Sequence, residues 1–573
     1  MKKIFVFTSV ILLCGLAILY KTSNPVKKNF QINLAINNKI KSFDPAVAFN
    51  DDALLVMAQS LETLFQYHYL KRPYEVIPAL AAEMPEISSD GLRYKIKIKK
   101  GIKYHNSNQL LPKGREVISD DFIWQIKRLA FKPIRSTGTW LFAGKIKGFN
   151  QFSQRVGESE EKFYTDEISG VHKINEHTFE IELIEPDPNL LYFLSMQFTS
   201  PVPIELIKQE NNRLDKVLIG TGPYQFDSMI DNRYYFSKFS DFREEYYPST
   251  GDRYANTEEL LSSSKERLPF IQQVTFHVIK DSDLRWEYFT QEKLDILDAP
   301  KKHLATLADT ASDTNKFLKS NGVIIKHFSR QTTRWLGFNM KDAILGQNKK
   351  LREAIAHAID YDQYIEVMTN NTNLKSNSIF NPSIQGYRPA HRLPYKHNLK
   401  KAKSLLLESG VDPTKIDLTY SSRGTQQIHK KEAIFLKEQL SKIGIDLKIN
   451  MISFGDFLKL GRSGKLQMWT DNWIYDYPDA ENLLQLLISK NHPGINKSAY
   501  SNPRVDQLYS DLTKTLDREK RFELMYQIEK IVESDIPWIM LMYESTYIIQ
   551  QKNIRNFRKS FFIRNFIKYL QKN

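Results

Sequence analysis

One segment in the second half of the chain restricts the fold class more than any other. Residues 415–453 contain an alternating apolar stretch, an amphipathic helical stretch and a second apolar stretch, which together predict a strand–helix–strand unit. Such a unit favours a right-handed parallel crossover, the building block of α/β sheets. The chain has 573 residues, whereas a single hydrophobic core stops growing at about 250–300 residues. The sequence therefore predicts an α/β protein with two or more lobes.

The first 29 residues have the layout of an export leader. Lys2 and Lys3 precede an apolar run at residues 4–20, and polar residues and Pro25 follow it. This layout is typical of a bacterial export signal, and the run is short for a membrane span of about 20 residues. An uncleaved N-terminal anchor and lipidation at Cys14, the only cysteine, are the alternatives. We therefore expect the protein in the periplasm or on the outer face of a bacterial membrane.

The charge of the chain does not indicate a nucleic-acid partner. The formal net charge is +15, from 81 basic and 66 acidic residues, and most basic residues are dispersed. A nucleic-acid-binding protein concentrates them in a patch or stripe. The exception is the tail 552–573, which has seven basic residues, no acidic residue and apolar residues at roughly helical spacing. This pattern predicts either contact with an anionic membrane surface or, as we favour, a terminal helix packed on its own lobe.

Strand and helix patterns alternate along the rest of the chain. Residues 30–38 and 94–98 alternate apolar and polar positions, which predicts two strands. Apolar residues at three- and four-residue spacing predict a helix over 51–70. We also expect an irregular insertion over 241–269 and a last strand pair over 537–550.

No motif indicates catalysis or a resident cofactor. There is no Gly-x-Ser-x-Gly nucleophile sequence, and the Ser-x-x-Lys spacing at 262–265 lacks its companion elements. The sequence GTGPY at 220–224 lacks the lysine of a phosphate-binding loop, so it predicts a turn. The twelve histidines include no His-Glu-x-x-His metal motif. We therefore expect a protein that is not an enzyme and has no cofactor and no metal site.

Nine short motifs occur in an order that is known from one protein family. They are FDPA (43–46), LETL (61–64), PALAAEM (78–84), DGLRYKIKIKKGIKYH (90–105), VISDDFIWQIKRL (117–129), GTGPY (220–224), FNM with LREAIAHAID (338–360), WIYDYPD (473–479) and YSNPRVDQLY (500–509). In this order, over about residues 31–550, the chain resembles the oligopeptide, dipeptide and nickel solute-binding proteins of ABC importers, which form extracellular solute-binding protein family 5.

The resemblance implies a bilobal α/β fold of the periplasmic-binding-protein type II, with an additional small α+β domain inserted in lobe one. Lobe one would comprise residues 30–75, 190–332 and 536–573, the inserted domain 76–189, and lobe two 333–535. The ligand would bind in the cleft between the lobes, which would close on it by a hinge motion.

The implied function is that of an exported, monomeric receptor. It would capture short peptides and deliver them to the permease subunits of an ABC importer. A binder of another small ligand, such as a nickel chelate, and a membrane-tethered ligand sensor are the alternatives. A hydrolase is disfavoured because the chain lacks a nucleophile motif.

The resemblance also implies the ligand-binding residues. In peptide-binding members the aspartate of the Asp-Tyr motif meets the N-terminal ammonium group of the ligand, and that position is Asp476. Tyr475 and Tyr477 flank it and would offer backbone hydrogen bonds, while Trp473 would wall a side-chain pocket. Glu62 matches a glutamate that faces the cleft from the other lobe, although Thr63 follows it where the family usually has glycine.

A structural role is the alternative for Asp476, which could cap the following helix or pair with an arginine. Asp479 has the position of an ordinary helix cap. The basic residues that hold the ligand carboxylate in family members have no aligned counterpart here, and Thr470 stands where some members carry arginine.

Overall fold

The structure is a computed structural model that describes residues 30–106 and 110–573. The predicted leader or anchor at 1–29, with Cys14, lies outside the described residues. Within the described ranges, no helix combines the length and the apolar character needed to cross a membrane.

A four-stranded mixed sheet lies in the first lobe. Its strands, in spatial order, are Gln31–Ile36, Gln273–Val278, Arg233–Lys238 and Tyr224–Ile230. The first pair is parallel and the other two are antiparallel. The strand predicted at 30–38 is confirmed, and its side chains alternate between half-buried and buried. Its buried face packs on a core that also contains side chains of the C-terminal tail.

A seven-stranded sheet connects the two lobes. Its strands, in spatial order, are Ile296–Asp298, Trp538–Gln550, Ile324–Phe338, Met468–Ile474, Leu418–Ser421 and Leu447–Asn450, with Leu374–Lys375 paired to the second. The strands Ile324–Phe338 and Trp538–Gln550 are antiparallel, and they extend from one lobe into the other. Ile548 is buried in the core of the first lobe, whereas Ile539 is buried in the core of the second. The pairing of these two strands is irregular between Ser329 and Thr333.

The predicted strand–helix–strand unit is confirmed. Leu418–Ser421 and Leu447–Asn450 are parallel neighbours, and the helix Gln427–Ser441 connects them. The helix buries Ala433, Leu436 and other apolar side chains against the sheet.

A smaller antiparallel sheet has a core of its own. Its strands, in spatial order, are Glu86–Ile87, Arg93–Lys97, Thr178–Glu182 and Val171–Asn175. The strand predicted at 94–98 is therefore confirmed, one residue earlier. The helix Ser119–Ala130 packs on this sheet, and its Phe122 stacks on Phe179 with ring centroids 5.8 Å apart.

The remaining elements are short or lie on the periphery of these sheets. The other α-helices are Asp51–Met57, Phe149–Val156, Glu160–Thr165, Leu190–Phe193, Ile204–Gln209, Arg253–Thr257, Ser282–Thr290, Leu304–Ala308, Asp313–Ser320, Lys349–Ala358, Tyr361–Thr369, Leu399–Glu408, Phe454–Arg462, Glu481–Leu484, Pro503–Lys514 and Arg518–Asp535. The 3₁₀ helices are Lys132–Ile134, Thr139–Leu141, Gln197–Thr199, Lys301–His303, Gln485–Leu487, Ser489–Asn491 and Phe566–Tyr569. Two further strand pairs are Phe65–Tyr67 with Val76–Pro78 and Ile554–Arg555 with Gln571–Lys572.

The helix predicted over 51–70 is wrong beyond Met57, because a distant turn binds the next residues. The N–H of Gly222 in the GTGPY sequence donates a hydrogen bond of 2.8 Å to the carbonyl of Ser60. A Cβ atom at Gly220 would lie 2.1 Å from the same carbonyl oxygen, so only glycine permits this approach. A tertiary contact thus ends the helix, although its local pattern continues.

The C-terminal tail packs on the first lobe, but it does not form the helix that we favoured. Its ends form a strand pair, and Tyr569 stacks on Tyr69 with ring centroids 4.1 Å apart. The guanidinium group of Arg558 is buried, where it pairs with Asp252 at 2.7 Å and donates to the carbonyl of Leu70. Basic side chains of the tail therefore serve the packing of the first lobe. The strand pair predicted over 537–550 is also wrong, because these residues form one continuous strand.

Candidate functional site

A cavity of about 580 Å³ lies between the two lobes. The first lobe contributes Gln331 and residues between 49 and 67, the second contributes residues 474–476, and the tail contributes residues 561–565. Trp140 and Phe198 add aromatic surface. A volume of this size accommodates a small-molecule ligand and brings apolar walls together with a few polar groups.

Asp476 lines this cavity from the second lobe. It follows the strand Met468–Ile474, and its side chain is exposed to the cavity. Its N–H donates to the side-chain oxygen of Asn482 at 3.0 Å, and its carboxylate accepts from the amide of the same residue at 3.3 Å. It forms no ion pair with any lysine or arginine of the described residues. Burial by the surrounding protein raises the pKa of the Asp476 carboxyl, although the Asn482 hydrogen bond partly opposes this.

Glu62 lines the same cavity from the first lobe, but its charge is already neutralised. Arg243 donates two hydrogen bonds to the Glu62 carboxylate, at 2.6 and 2.8 Å, and the hydroxyl of Thr221 donates a third at 3.0 Å. Thr221 belongs to the GTGPY turn, which also ends the preceding helix. The carboxylate that the resemblance implied to face the ligand is therefore held by Arg243, whose side chain is 10% exposed.

An ion-pair network extends from Arg243 away from the cavity. Arg243 pairs with Glu245 at 3.1 Å, and Lys568 of the tail pairs with Glu245 at 2.7 Å. Burial opposes ionisation of Glu245, but Lys568 and Arg243 outweigh it and hold the pKa of this carboxyl at about 2. The network links the tail to the wall of the cavity.

The two tyrosines that flank Asp476 have different positions. Tyr475 lines the cavity, and its N–H donates to the carbonyl of Gln331 at 2.9 Å. Tyr477 is buried outside the lining, where its ring stacks on Tyr192 with centroids 5.9 Å apart and its hydroxyl donates to Glu481. The Tyr475 N–H is thus already paired in this state, and Tyr477 contributes mainly to packing.

Trp473 lines a second, smaller cavity of about 130 Å³ together with three other tryptophans, Trp335, Trp469 and Trp538. Its indole N–H donates to the side-chain oxygen of Asn482 at 2.8 Å, the oxygen that also accepts from Asp476. Asn482 therefore holds both ends of the segment 473–476. The structure brings Glu62, Tyr475 and Asp476 together, and it places Trp473 and Tyr477 outside the lining of the interlobe cavity.

Comparison with known families decides the class of the protein. The model of the bacterial extracellular solute-binding proteins, family 5 Middle, matches residues 75–494. The chain belongs to this family. Its fold is accordingly the bilobal type II fold of periplasmic binding proteins, as the resemblance implied.

Two relatives illustrate what this family 5 protein is similar to. It is 23% identical over 498 residues to the dipeptide-binding protein of Escherichia coli strain K12, and the match covers 84% of each chain. It is 23% identical over 534 residues to heme-binding protein A of Haemophilus influenzae, which covers 90% of this chain and 88% of the relative.

A solved structure of the family has the same fold. HbpA2 from Haemophilus parasuis superposes with a TM-score of 0.79 at 21% identity, covering 95% of this chain and 100% of that chain. The likeness therefore includes both lobes and the small additional domain.

Residues of the tail that line the cavity were missed by the sequence analysis of this family 5 protein. Phe561, Phe562 and Arg564 belong to the wall, and Arg564 pairs with Asp51 at 2.8 Å. The signal was the concentration of basic and aromatic residues in 552–573, which we interpreted as a membrane-facing or packed helix. Asn482 was missed because nothing in its local pattern distinguishes it from other helical polar residues.

A buried arginine lies next to Thr470, the position that carries arginine in some members. Arg334, on the neighbouring strand, donates three hydrogen bonds of 2.6–3.0 Å to Glu432, and Thr470 donates to the same carboxylate at 2.7 Å. These side chains are buried, and their charges compensate each other. Arg334 is therefore not free to hold a ligand carboxylate.

Asp479 has the structural role that we considered for both aspartates. It accepts a hydrogen bond of 2.9 Å from the N–H of Glu481, in the first turn of the following helix, and pairs with Arg521 at 2.8 Å. Asp476 has no arginine partner among the described residues, and this difference separates the two side chains.

The described residues also contain a cluster of metal-ligating side-chain types, His391, Glu529 and Glu533, outside both cavities. Glu529 already pairs with Arg388 at 2.5 Å, and His391 lies 2.8 Å from Glu533. The sequence did not indicate this cluster, because His391 comes from a distant loop whereas the two glutamates belong to one helix. Its charges are partly compensated by the chain itself.

Proposed function

We propose that this chain is an exported receptor that captures short peptides in the interlobe cavity and delivers them to the permease of an ABC importer. It acts as a monomer outside the cytoplasmic membrane and catalyses no reaction. One observation supports the peptide assignment above all. Of the three carboxylates that line the cavity, Asp51 and Glu62 each pair with an arginine, whereas Asp476 has no cationic partner among the described residues.

An ammonium group is the ligand feature that Asp476 suits. A carboxylate in a cleft that closes loses its hydration, and an unpaired buried charge costs several kcal/mol, of the order of 3–5 kcal/mol. A ligand ammonium group removes this cost by forming a charge-assisted hydrogen bond. The amide of Asn482 fixes the orientation of the carboxylate without supplying charge.

The expected backbone hydrogen bonds from the protein to the peptide have to be revised. We expected Tyr475 and Tyr477 to offer backbone hydrogen bonds, but the Tyr475 N–H is already paired with Gln331. We propose that the Tyr475 ring forms a wall beside the ligand and that Trp473 acts on a ligand side chain through the smaller cavity. Glu62 shapes the opposite wall through its pairing with Arg243.

The division of the chain that we propose is the one implied by the resemblance. Lobe one comprises 30–75, 190–332 and 536–573, the inserted domain 76–189, and lobe two 333–535. The two long antiparallel strands, which pass from one lobe into the other near residue 332, support this boundary. The hydrophobic core of the inserted domain includes residues as far along the chain as Leu214. Residues on both sides of the boundary at 189 therefore pack in the same core.

The substitution Asp476→Asn tests the proposal. It should weaken binding of a peptide with a free amino terminus by about 2–5 kcal/mol, the cost of truncating one partner of a buried charge pair. The N-acetylated form of the same peptide should bind wild type and variant with nearly equal affinity, because it carries no ammonium group. Isothermal titration calorimetry with both peptides measures the difference.

The control is Asp51→Asn, which removes an exposed carboxylate from the same cavity. It should not alter the preference for the free amino terminus. Equal losses for the free and the acetylated peptide in Asp476→Asn would contradict the assigned role.

Binding of heme, followed by its absorption, should be insensitive to Asp476→Asn, because heme has no ammonium group. A protein that binds heme but no peptide would refute the proposed function.

A further inference from the structure

Tyr477 belongs to lobe two, but its ring is buried in the core of the inserted domain. The other buried side chains of that core come from residues 46–214. The Tyr477 ring stacks on Tyr192 with centroids 5.9 Å apart, and it meets the ring of Phe193 edge to face at 5.3 Å. Its exposed fraction is 2%. One aromatic side chain of lobe two thus completes a core that is otherwise built by an earlier part of the chain.

Polar side chains also join lobe two to the inserted domain and lobe one around this ring. The Glu481 carboxylate of lobe two accepts a hydrogen bond of 3.3 Å from the side-chain amide of Asn189, in the inserted domain. The side-chain amide of Gln385, also in lobe two, donates to the hydroxyl of Tyr192 at 2.9 Å and to the carbonyl of Tyr74 at 3.0 Å. We call the following side chains the docking contact: Tyr477, Glu481 and Gln385 of lobe two, with Asn189, Tyr192 and Phe193.

The docking contact has the features of a contact that can separate. A cavity of about 650 Å³ lies beside it, lined by side chains of the inserted domain and of lobe two. The Glu481 carboxylate also accepts hydrogen bonds from the hydroxyl groups of Tyr477 and Tyr509, both of lobe two. It keeps these donors when Asn189 moves away, so separation leaves no buried carboxylate without a donor.

The docking contact and the ligand-binding carboxylate share one short segment of the chain. Asp476, which lines the interlobe cavity, directly precedes Tyr477. Asn482, which orients Asp476, directly follows Glu481. Because Asn482 belongs to lobe two, Asp476 keeps its orientation whether or not Tyr477 is docked. The segment therefore carries a ligand-binding side chain and a docking side chain that act separately.

We propose that Tyr477 is a positioning residue that docks lobe two on the inserted domain when the lobes close on a ligand. The proposal rests on the proposed function, and it gives the inserted domain a role in that function as the docking partner of the closed state. The apparent affinity of a receptor falls with the fraction of the protein that is competent to bind. Docking of the Tyr477 ring raises this fraction, and it does so for every ligand that the closed cavity admits.

The buried ring contributes more to docking than the ion pair at the rim. Lys514 of lobe two pairs with Glu185 of the inserted domain at 3.0 Å, but the two side chains are 43% and 61% exposed. Exposed ion pairs contribute little to stability, whereas a buried aromatic ring removes a large apolar surface from water. Tyr477, rather than Lys514, should therefore control the docking.

Hydroxyl-radical footprinting of the wild-type protein tests whether the docking contact opens. Mass spectrometry measures the oxidation rates of single tyrosines with and without a mixture of di- to pentapeptides that have free amino termini. We expect the peptides to lower the oxidation rate of Tyr477 several-fold, because a ligand stabilises the closed state in which this ring is buried. Tyr364, buried inside lobe two, and Tyr246, which is 52% exposed, are internal controls whose rates should not change.

Substitutions test whether docking sets the affinity. Tyr477→Ala should weaken binding of the free and the N-acetylated form of one peptide by the same factor, about 10- to 100-fold, the range that burial of one large apolar side chain supplies. Tyr477→Phe keeps the ring and should lose less than Tyr477→Ala. Isothermal titration calorimetry measures both peptide forms.

Two control variants match these substitutions. Tyr509→Ala removes the other tyrosine that donates to Glu481, but this side chain packs inside lobe two. Lys514→Ala removes the ion pair at the rim. Both controls should bind the two peptide forms as wild type does.

Two results would overturn the inference while peptide binding stands. One is an oxidation rate of Tyr477 that bound peptide does not change, a comparison that needs no variant to fold. The other is a Tyr477→Ala variant that binds both peptide forms as tightly as wild type, or that loses affinity for the free form alone. Absence of peptide binding to wild type would refute the proposed function together with this inference.

Discussion

Glu62 and Asp476 line one cavity from opposite lobes, yet their carboxylates meet different partners. The Glu62 carboxylate accepts two hydrogen bonds from the charged guanidinium group of Arg243. The Asp476 carboxylate accepts a hydrogen bond only from the neutral side-chain amide of Asn482. The sequence could predict that both positions face the cleft, because the motifs carry that information by resemblance. It could not predict the charge state, because Arg243 is distant in sequence and lies in a segment that we interpreted as an irregular insertion. The role of a carboxylate in such a cleft is decided by its partner.

The substitution Glu62→Gln should therefore affect stability more than ligand choice. It removes a charged acceptor from Arg243, which retains Glu245, so we expect the free energy of unfolding to fall by about 2 kcal/mol. The preference for a free amino terminus should persist. Urea unfolding and calorimetry measure the two effects.

The control for this substitution is Glu75→Gln, at an exposed ion pair with Lys71, which should change stability by less than about 0.5 kcal/mol. A Glu62→Gln variant that keeps wild-type stability but loses peptide binding would show that Glu62 contacts the ligand directly.

At the scale of elements, the local hydrophobic pattern of the sequence was sufficient to predict those helices and strands whose contacts are local or repetitive. The parallel strand–helix–strand unit around the helix Gln427–Ser441 was predicted correctly. The spacing of its apolar residues and the length of the segment between its two strands restrict the topology. The helix over 51–70 was overextended because the GTGPY turn binds Ser60. The tail was misjudged because its basic side chains find partners inside the lobe, as Arg558 does with Asp252. Nonlocal hydrogen bonds, rather than propensity, decide these elements.

The tail should therefore be essential for the stability of the first lobe. Ile567 is fully buried in the lobe core, so Ile567→Ala should lower the free energy of unfolding by about 2–5 kcal/mol. Chemical denaturation measures this loss, and ligand binding should weaken as the adjacent cavity wall loosens.

The matched control is Ile230→Ala in the same lobe, where the side chain is 56% exposed and little should change. If Ile567→Ala were as stable as Ile230→Ala, the tail would not be an integral part of the core.

At the scale of the whole molecule, two long antiparallel strands connect the lobes, and the cavity lies between these lobes. The strand Ile324–Phe338 loses its regular pairing with Trp538–Gln550 between Ser329 and Thr333, close to the predicted boundary at residue 332. Hinges are formed by a few residues that absorb changes in backbone angles. We therefore expect the lobes to move about this segment when a ligand bridges them.

Spin labels in the two lobes test this motion. Labels at Asp227→Cys and Lys403→Cys, both exposed, can be attached specifically in a Cys14→Ser background because the chain has one cysteine. Double electron–electron resonance should show a shorter and narrower distance distribution when peptide is added, because a ligand stabilises the state that it binds more tightly.

Asp476→Asn should abolish this shift at peptide concentrations that close the wild type. An unchanged distribution in the presence of bound peptide would indicate that binding does not move the lobes.

A crystal structure of the protein with a bound peptide tests the central claim most directly. The account predicts that the N-terminal nitrogen of the peptide lies about 2.7–2.9 Å from a carboxylate oxygen of Asp476, the distance of a charge-assisted hydrogen bond. A peptide bound in the cavity with its amino terminus distant from Asp476, or with Asp476 paired to a side chain of the protein, would contradict it.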